Sequence, residues 1–417
     1  MGNIRIRDLA LAGALLTIAL GKAESFTIDA LNYVLSDENP SEVFVGMAPD
    51  AETLPSTLVI PSAVDNDSQT YTVVGISKNG FAECQDLISV ELPSTITTIE
   101  DKAFYNCTAL TSVNLPEGVQ HIGEEAFRRC RSLEGGLTIP ESVTFLGNEA
   151  FRECSSLSSV KIYARLQTLE LSFAYCTNLE SLEILGDIKF IGYYPQCSNL
   201  KTLYISSYVK YIDAQGLYDC YLLKNIIISE DNPEYCAENS IIFSKNKRIL
   251  ECWPSAKGPV QIPEGITYIG DYAFAENEKI TSVHFPPTIE TLGTFCFYDC
   301  TSLKSLIFTG EKPPHLYYNW AGRYPGEKAW DTLPLSIYVP ESAYEVYEEK
   351  FSSYYPYIKV YPMKSSGIAE AGSDSLEETT YEVFSLDGRQ VLKAASRDEL
   401  RGLERGIYIV NGKKMAL

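Results

Sequence analysis

A cysteine returns about every 23 residues along the middle of this 417-residue chain. Cys84, Cys107, Cys130, Cys154, Cys176, Cys197 and Cys220 carry the rhythm, and Asn277 and Cys300, again 23 apart, resume it after an insertion. Each sits in one frame: an aromatic or Leu three residues before, an apolar residue three after and, in nearly every copy, another six after. A fixed period of this length is the signature of a solenoid, whose coils bury their apolar edges only by stacking on one another. Such a fold offers an extended surface rather than a pocket, which turns the question of function toward binding.

One coil, AFYNCTALTSVNLPEGVQHIGEEAF from Ala103, can be read piece by piece. Ser112-Val113-Asn114-Leu115 alternates polar and apolar, the period of a half-buried strand. Pro116 closes it, because proline cannot donate to a ladder. Val119 and Ile122 point inward again and Gly123 permits a turn. Ala126, Phe127, Cys130 and Leu133, spaced three or four apart, predict a short helical turn with one apolar face. The fold class is therefore a repeat solenoid of short strands and short helical turns.

This pattern resembles the BspA-like leucine-rich-repeat family of bacterial surface proteins, through AFYNCTALTSVNLPEGVQHIG, AFRRCRSLEGGLTIPESVTFLG and CFYDCTSLKSLIF. The resemblance spans residues 75–309. An insertion at 229–258 carries Ile241-Ile242-Phe243 and Arg248-Ile249-Leu250, which read as a hairpin. Residues 24–74 read as an N-terminal β cap, and 310–363 as a C-terminal cap ending in a strand, a proline and an amphipathic helix. Residues 364–380, rich in Ser, Glu and Gly, read as a linker. Residues 381–417 read as a small β tail with turns at Asp387-Gly388 and Asn411-Gly412, and resemble the sorting domain of Bacteroidetes secretion substrates through DGR and GIYIVNGKK.

Residues 1–23 read as a secretory signal: Arg5 and Arg7, then the apolar run Leu9–Leu20, then Gly21-Lys22-Ala23. The expected location is therefore secreted or outer cell surface, with no membrane span after signal removal. A net charge of −21 makes nucleic acid and anionic lipid poor partners. The family resemblance implies adhesion, with a host or microbial surface protein or glycan as partner class.

Enzyme chemistry finds little footing. Only three histidines, His121, His284 and His315, are present, with no phosphate loop, nucleophile elbow or metal motif. No cofactor and no metal are expected. The repeating cysteines read as buried small fillers, while Cys236 and Cys252, outside the column and flanking the hairpin, are candidates for a disulfide.

Outward strand positions fall in two columns. The first, from Ser89 and Ser112 to Ser282 and Ser305, is uniformly small. The second is varied: Glu91, Asn114, Thr138, Lys161, Glu183, Tyr204, Ile227, His284 and Ile307. A packed ladder beside a tunable contact row explains this, as does crowding alone. A second stripe, His121, Phe145, Phe190, Tyr211 and Tyr268, suits either coil-to-coil stacking or ligand contact. A third group, Tyr317, Tyr318, Trp320, Tyr324 and Trp330, lies in the loop before the cap and suits either cap packing or a carbohydrate-binding site. The candidate binding residues are accordingly Glu91, Asn114, Lys161, Glu183, Tyr204, His284 and this aromatic group.

Overall fold

The computed structural model describes residues 24–192, 197–217, 220–317, 319–321, 335–352 and 358–363, with the strands of a C-terminal tail. The signal segment 1–23 and the linker 364–380 lie outside the described residues. The chain forms two compact units, Met1–Gly216 with Ile227–Asn232, and Leu217–Ile226 with Pro233–Leu417.

In the first unit, Ser25–Ile28, Leu31–Leu35 and Glu42–Met47 make an antiparallel meander. Its last strand pairs in parallel with Gln69–Ile76, which leads through Thr98–Ile99 and His121–Ile122 to Phe145–Leu146. Thr168–Leu169, Phe190–Ile191 and Tyr211–Ile212 form a further parallel ladder of these short strands. The other side of the coils holds longer strands. Thr57–Val59 pairs with Ser89–Glu91 and then Ser112–Val113, and Gly135–Ile139, Leu157–Ile162, Ser181–Ile184 and Thr202–Ile205 pair in succession. Alternation sends Val160, Ile162, Leu182, Ile184, Leu203 and Ile205 inward, all buried.

The third side corrects the expected helical turn. Residues 123–130 form consecutive turns, closed by Ala126 N–H to Gly123 O and Cys130 N–H to Phe127 O. The third residue of each turn, Glu125 and Arg129, has a positive φ of 54° and 65°. The same pair of positions is left-handed at Lys102 and Asn106, at Glu149 and Glu153, and at Leu171 and Tyr175. Left-handed residues stop a helix from propagating. They also turn alternate N–H groups toward the next coil, as in Phe104 N–H to Ala126 O and Phe127 N–H to Ala150 O, both 2.7 Å.

Between these turns lies the core. Phe81, Phe104, Phe127, Phe151 and Phe173 stack ring on ring at 5.0–5.4 Å. Beside them, the cysteines do more than fill space. Cys107 donates its thiol to Phe81 O (3.0 Å), Cys130 to Phe104 O (3.2 Å), Cys154 to Phe127 O and Cys176 to Phe151 O (3.3 Å each). In the second unit Cys300 donates to Phe274 O, while Asn277, in the same position, donates its amide to Ala256 O at 2.9 Å.

The second unit opens with a three-stranded antiparallel meander: Tyr235–Glu238, Ile241–Ser244 and Ile249–Cys252. The hairpin read from sequence is present, with one strand more. That extra strand explains why no disulfide joins Cys236 and Cys252. They lie on the two strands flanking Ile241–Ser244, two spacings or about 9.6 Å apart, beyond the reach of a disulfide. Ile249–Cys252 then pairs in parallel with Tyr268–Ile269, followed by Thr291–Leu292 and His315–Leu316. The companion ladder runs Gly258–Gln261, Ile280–Phe285, Ser305–Phe308, Leu335–Pro340 and Ile358–Met363.

Trp320 belongs to this core. It is fully buried, its ring meets Phe297 edge-on at 6.4 Å, and its carbonyl accepts from Phe297 N–H at 2.7 Å. Positions 274, 297 and 320 keep the 23-residue spacing, so Trp320 takes the aromatic place of a further coil rather than a place on the surface. The helix Tyr344–Ser352 buries Tyr347 and Phe351 beside Phe308, and Phe351 also meets Trp320. The tail forms a separate antiparallel sheet ordered Gln390–Ala395, Tyr381–Ser385, Ile407–Val410, Lys413–Ala416.

Candidate functional site: the outward strand columns

The pairing register brings the two outward columns into line. Gly136, Ser159, Ser181 and Thr202 stack in one, and Thr138, Lys161, Glu183 and Tyr204 in the other. The small column is crowded: a Cβ on Gly136 would stand 2.9 Å from Ser159 Oγ.

The varied column is where the coils differ. Glu91 is exposed at its start. Asn114 is exposed but tied to backbone, donating Nδ2 to Leu92 O (3.0 Å) and accepting from Leu92 N–H (2.9 Å). It continues the ladder where the strand Ser112–Val113 ends, a structural role that sequence did not disclose. Exposed Lys161 and half-buried Glu183 form an ion pair at 3.3 Å, and Tyr204 follows Glu183 in register, half-buried. In the second unit the column reads Gln261, His284, Ile307, Tyr338. Burial holds His284 below the usual imidazole range, and its Nε2 is enclosed without a hydrogen-bond partner among the described residues.

The aromatic stripe resolves into stacks. His121 lies on Phe145 at 4.4 Å and 5°, and Phe190 on Tyr211 at 5.0 Å and 9°. Parallel stacking occupies ring faces, so although Phe145 and Tyr211 are about half exposed, the shared faces of these pairs are closed. Of the loop group, Tyr317 is 49% exposed and Trp320 is buried; Tyr318, Tyr324 and Trp330 lie outside the described residues. Tyr268 meets Tyr317 nearly at right angles.

The column thiols are chemically quiet. Burial pushes Cys107 up to about 12, Cys130, Cys154 and Cys176 well above the ordinary thiol range, and Cys300 above it too. Thiolate, the reactive form, is suppressed there. Among the described residues no three His, Cys, Asp or Glu side chains gather as a metal site, and no helix is long and apolar enough to cross a membrane.

A family model described as the BspA type leucine rich repeat region matches in six copies, over residues 74–195, 171–251 and 256–313, more than half of the chain. Among solved structures, a leucine-rich repeat protein from Bacteroides ovatus is 23% identical, with 76% of this chain and 82% of that one covered and a TM-score of 0.48. A leucine rich cell surface protein from Faecalibacterium prausnitzii is 21% identical, with 83% and 96% covered and a TM-score of 0.49. The pneumococcal vaccine antigen PcpA is 15% identical, with 82% and 98% covered and a TM-score of 0.48. No curated protein matches the chain.

Proposed function

The chain belongs to the BspA-type leucine-rich-repeat family, and on that premise we propose that it is a secreted or cell-surface binding protein whose varied strand column engages a macromolecular partner. The observation that carries this reading is the contrast between two adjacent columns. One stays small, as Gly136, Ser159, Ser181 and Thr202, while Thr138, Lys161, Glu183 and Tyr204 change chemistry from coil to coil at equivalent positions. A varied row on a rigid scaffold is where specificity can be set. The matched family is a repeat family rather than an enzyme family, which also favours binding over catalysis. The partner class is a host or microbial surface protein, reached after export by the signal-like residues 1–23.

The test uses the exported chain without residues 1–23, immobilised and exposed to host matrix proteins and to surface extracts of neighbouring microbes. A specific ligand is expected, and Tyr204→Ala and Lys161→Glu are expected to weaken its retention by about tenfold each, the scale of one interface contact. A correctly folded protein that retains nothing, or a ligand indifferent to both substitutions, would refute the reading.

A further inference from the structure

The short-strand side of the second unit carries a cluster unlike the closed stacks of the first. Tyr268, Thr291 and His315 occupy one row across three successive coils. Tyr317 follows on the same strand side, its ring 6.5 Å from Tyr268 at 85° and 4.9 Å from His315 at 88°. Small Thr291 leaves a gap between the two outer rings, and Tyr317 stands across them rather than parallel to either. Its two ring contacts are both edge contacts, and it is the most exposed tyrosine of the second unit's described residues, at 49%.

Polar groups cluster beside its neighbour Tyr268. Tyr268 donates its hydroxyl to Asp271 Oδ1 at 2.9 Å, and that same oxygen accepts from Thr294 N–H at 2.7 Å. Asp271 is thereby fixed in place and remains exposed, with Oδ2 as a further acceptor. Burial and the neighbouring Asp271 raise the Glu251 carboxyl above its usual range, and burial with the Asp271 bond keeps Tyr268 protonated as a donor. Thr291 and His315 add a hydroxyl and an imidazole.

We propose that Tyr317, flanked by Tyr268, Thr291, His315 and Asp271, is a subsite for a neutral saccharide ring. A half-exposed tyrosine ring suits the apolar C–H face of a pyranose, and fixed donors and acceptors on the neighbouring coils suit hydroxyl groups. The two acidic side chains, Asp271 and Glu251, disfavour sialylated or sulfated sugars. A quaternary ammonium would use the ring and the negative charge but not the surrounding donors. The site lies on the short-strand side, away from the varied column, and stands independently of the function proposed above.

The test is isothermal titration of the full exported chain with neutral gluco-, manno- and galacto-oligosaccharides, with sialyllactose and tetramethylammonium as charged arms. At least one neutral series is expected to bind. Tyr317→Ala is expected to weaken it by about tenfold and Tyr268→Phe by less, with circular dichroism and melting unchanged for Tyr317→Ala. Tyr204→Ala, on the varied column, is expected to leave sugar binding intact, so failure of one site is distinguishable from failure of the other. Absence of neutral-sugar binding, indifference to Tyr317→Ala, or preference for either charged arm would overturn the proposal.

Discussion

At Asn277 an amide does for Ala256 O what a thiol does for the phenylalanine carbonyls of other coils. The repeating position is therefore a buried donor whose hydrogen-bonding duty can pass between Cys and Asn. Asn277 carries a second duty, its Oδ1 accepting from Lys279 N–H at 2.9 Å. Cys154→Ala removes one of two donors to Phe127 O, which keeps the Cys130 N–H, and opens a small void, so urea denaturation is expected to register a loss of about 1–2 kcal/mol. Asn277→Ala strands two backbone groups and is expected to cost more, about 2–4 kcal/mol. A larger loss for Cys154→Ala would contradict this ranking. His284 gives a pH dependence of definite sign. Its folded pKa is depressed by burial, so on acidification the unfolded chain takes up the proton first. Stability should be intact above the unfolded value of about 6.5 and fall as pH drops from there toward the folded value, by at most about 1.4 kcal/mol per unit. Urea midpoints measured from pH 7.5 to 5 check it, with His284→Gln expected to flatten this part of the slope.

Turns, rather than helices, join the two ladders at residues 123–130 and their counterparts, apart from a 3-10 helix at Ala214–Leu217, and the reason this escaped the sequence is specific. Ala126, Phe127, Cys130 and Leu133 have helical spacing, but Glu125 and Arg129 occupy left-handed backbone, which no spacing pattern reports. Charged residues at and beside these positions find partners across coils. Arg128 reaches Glu149 at 2.6 Å, Arg129 reaches Glu153 at 3.2 Å, and Arg152 lies over the Tyr175 ring at 4.5 Å. Leu171 has the same positive φ, 52°, with a side chain that can make no ion pair. Leu171→Gly should therefore gain stability, by about 0.5–1 kcal/mol through relief of left-handed strain. Glu149→Gly relieves similar strain but removes the partner of Arg128 and Arg152, and its net change should be neutral or negative. Thermal melts of the two variants decide it; a gain of equal size in both would assign no weight to the ion pairs. Strand positions, by contrast, were legible residue by residue, because alternation leaves one register in which Val160, Leu182 and Leu203 all face inward.

For the molecule as a whole, the 23-residue period made the solenoid legible before any coordinate, whereas site chemistry was legible only in part. The sequence leaves Trp320 open between cap packing and a surface site because its coil lacks the cysteine frame, although the spacing from Phe274 through Phe297 to Trp320 is there to be read. The Tyr268–Tyr317–His315 cluster was hidden because it depends on ring orientation, not on residue type. A structure built from repeats also constrains how damage spreads. Each coil contacts only its neighbours, so stability is a sum of coil and interface terms. Phe127 is fully buried between Phe104 at 5.1 Å and Phe151 at 5.0 Å. Phe127→Ala removes both ring contacts and leaves a large cavity, at about 3–5 kcal/mol. In the first unit, native-state hydrogen exchange should then speed up most at the amides bridging these coils, Phe104 to Ala126 O and Phe127 to Ala150 O. Protection should recover with distance, so that the ladder joining Tyr33 to Val45 keeps nearly its original rate. Uniform loss of protection across the first unit would mean that its coils unfold as one globular body, and that the nearest-neighbour picture fails for this chain.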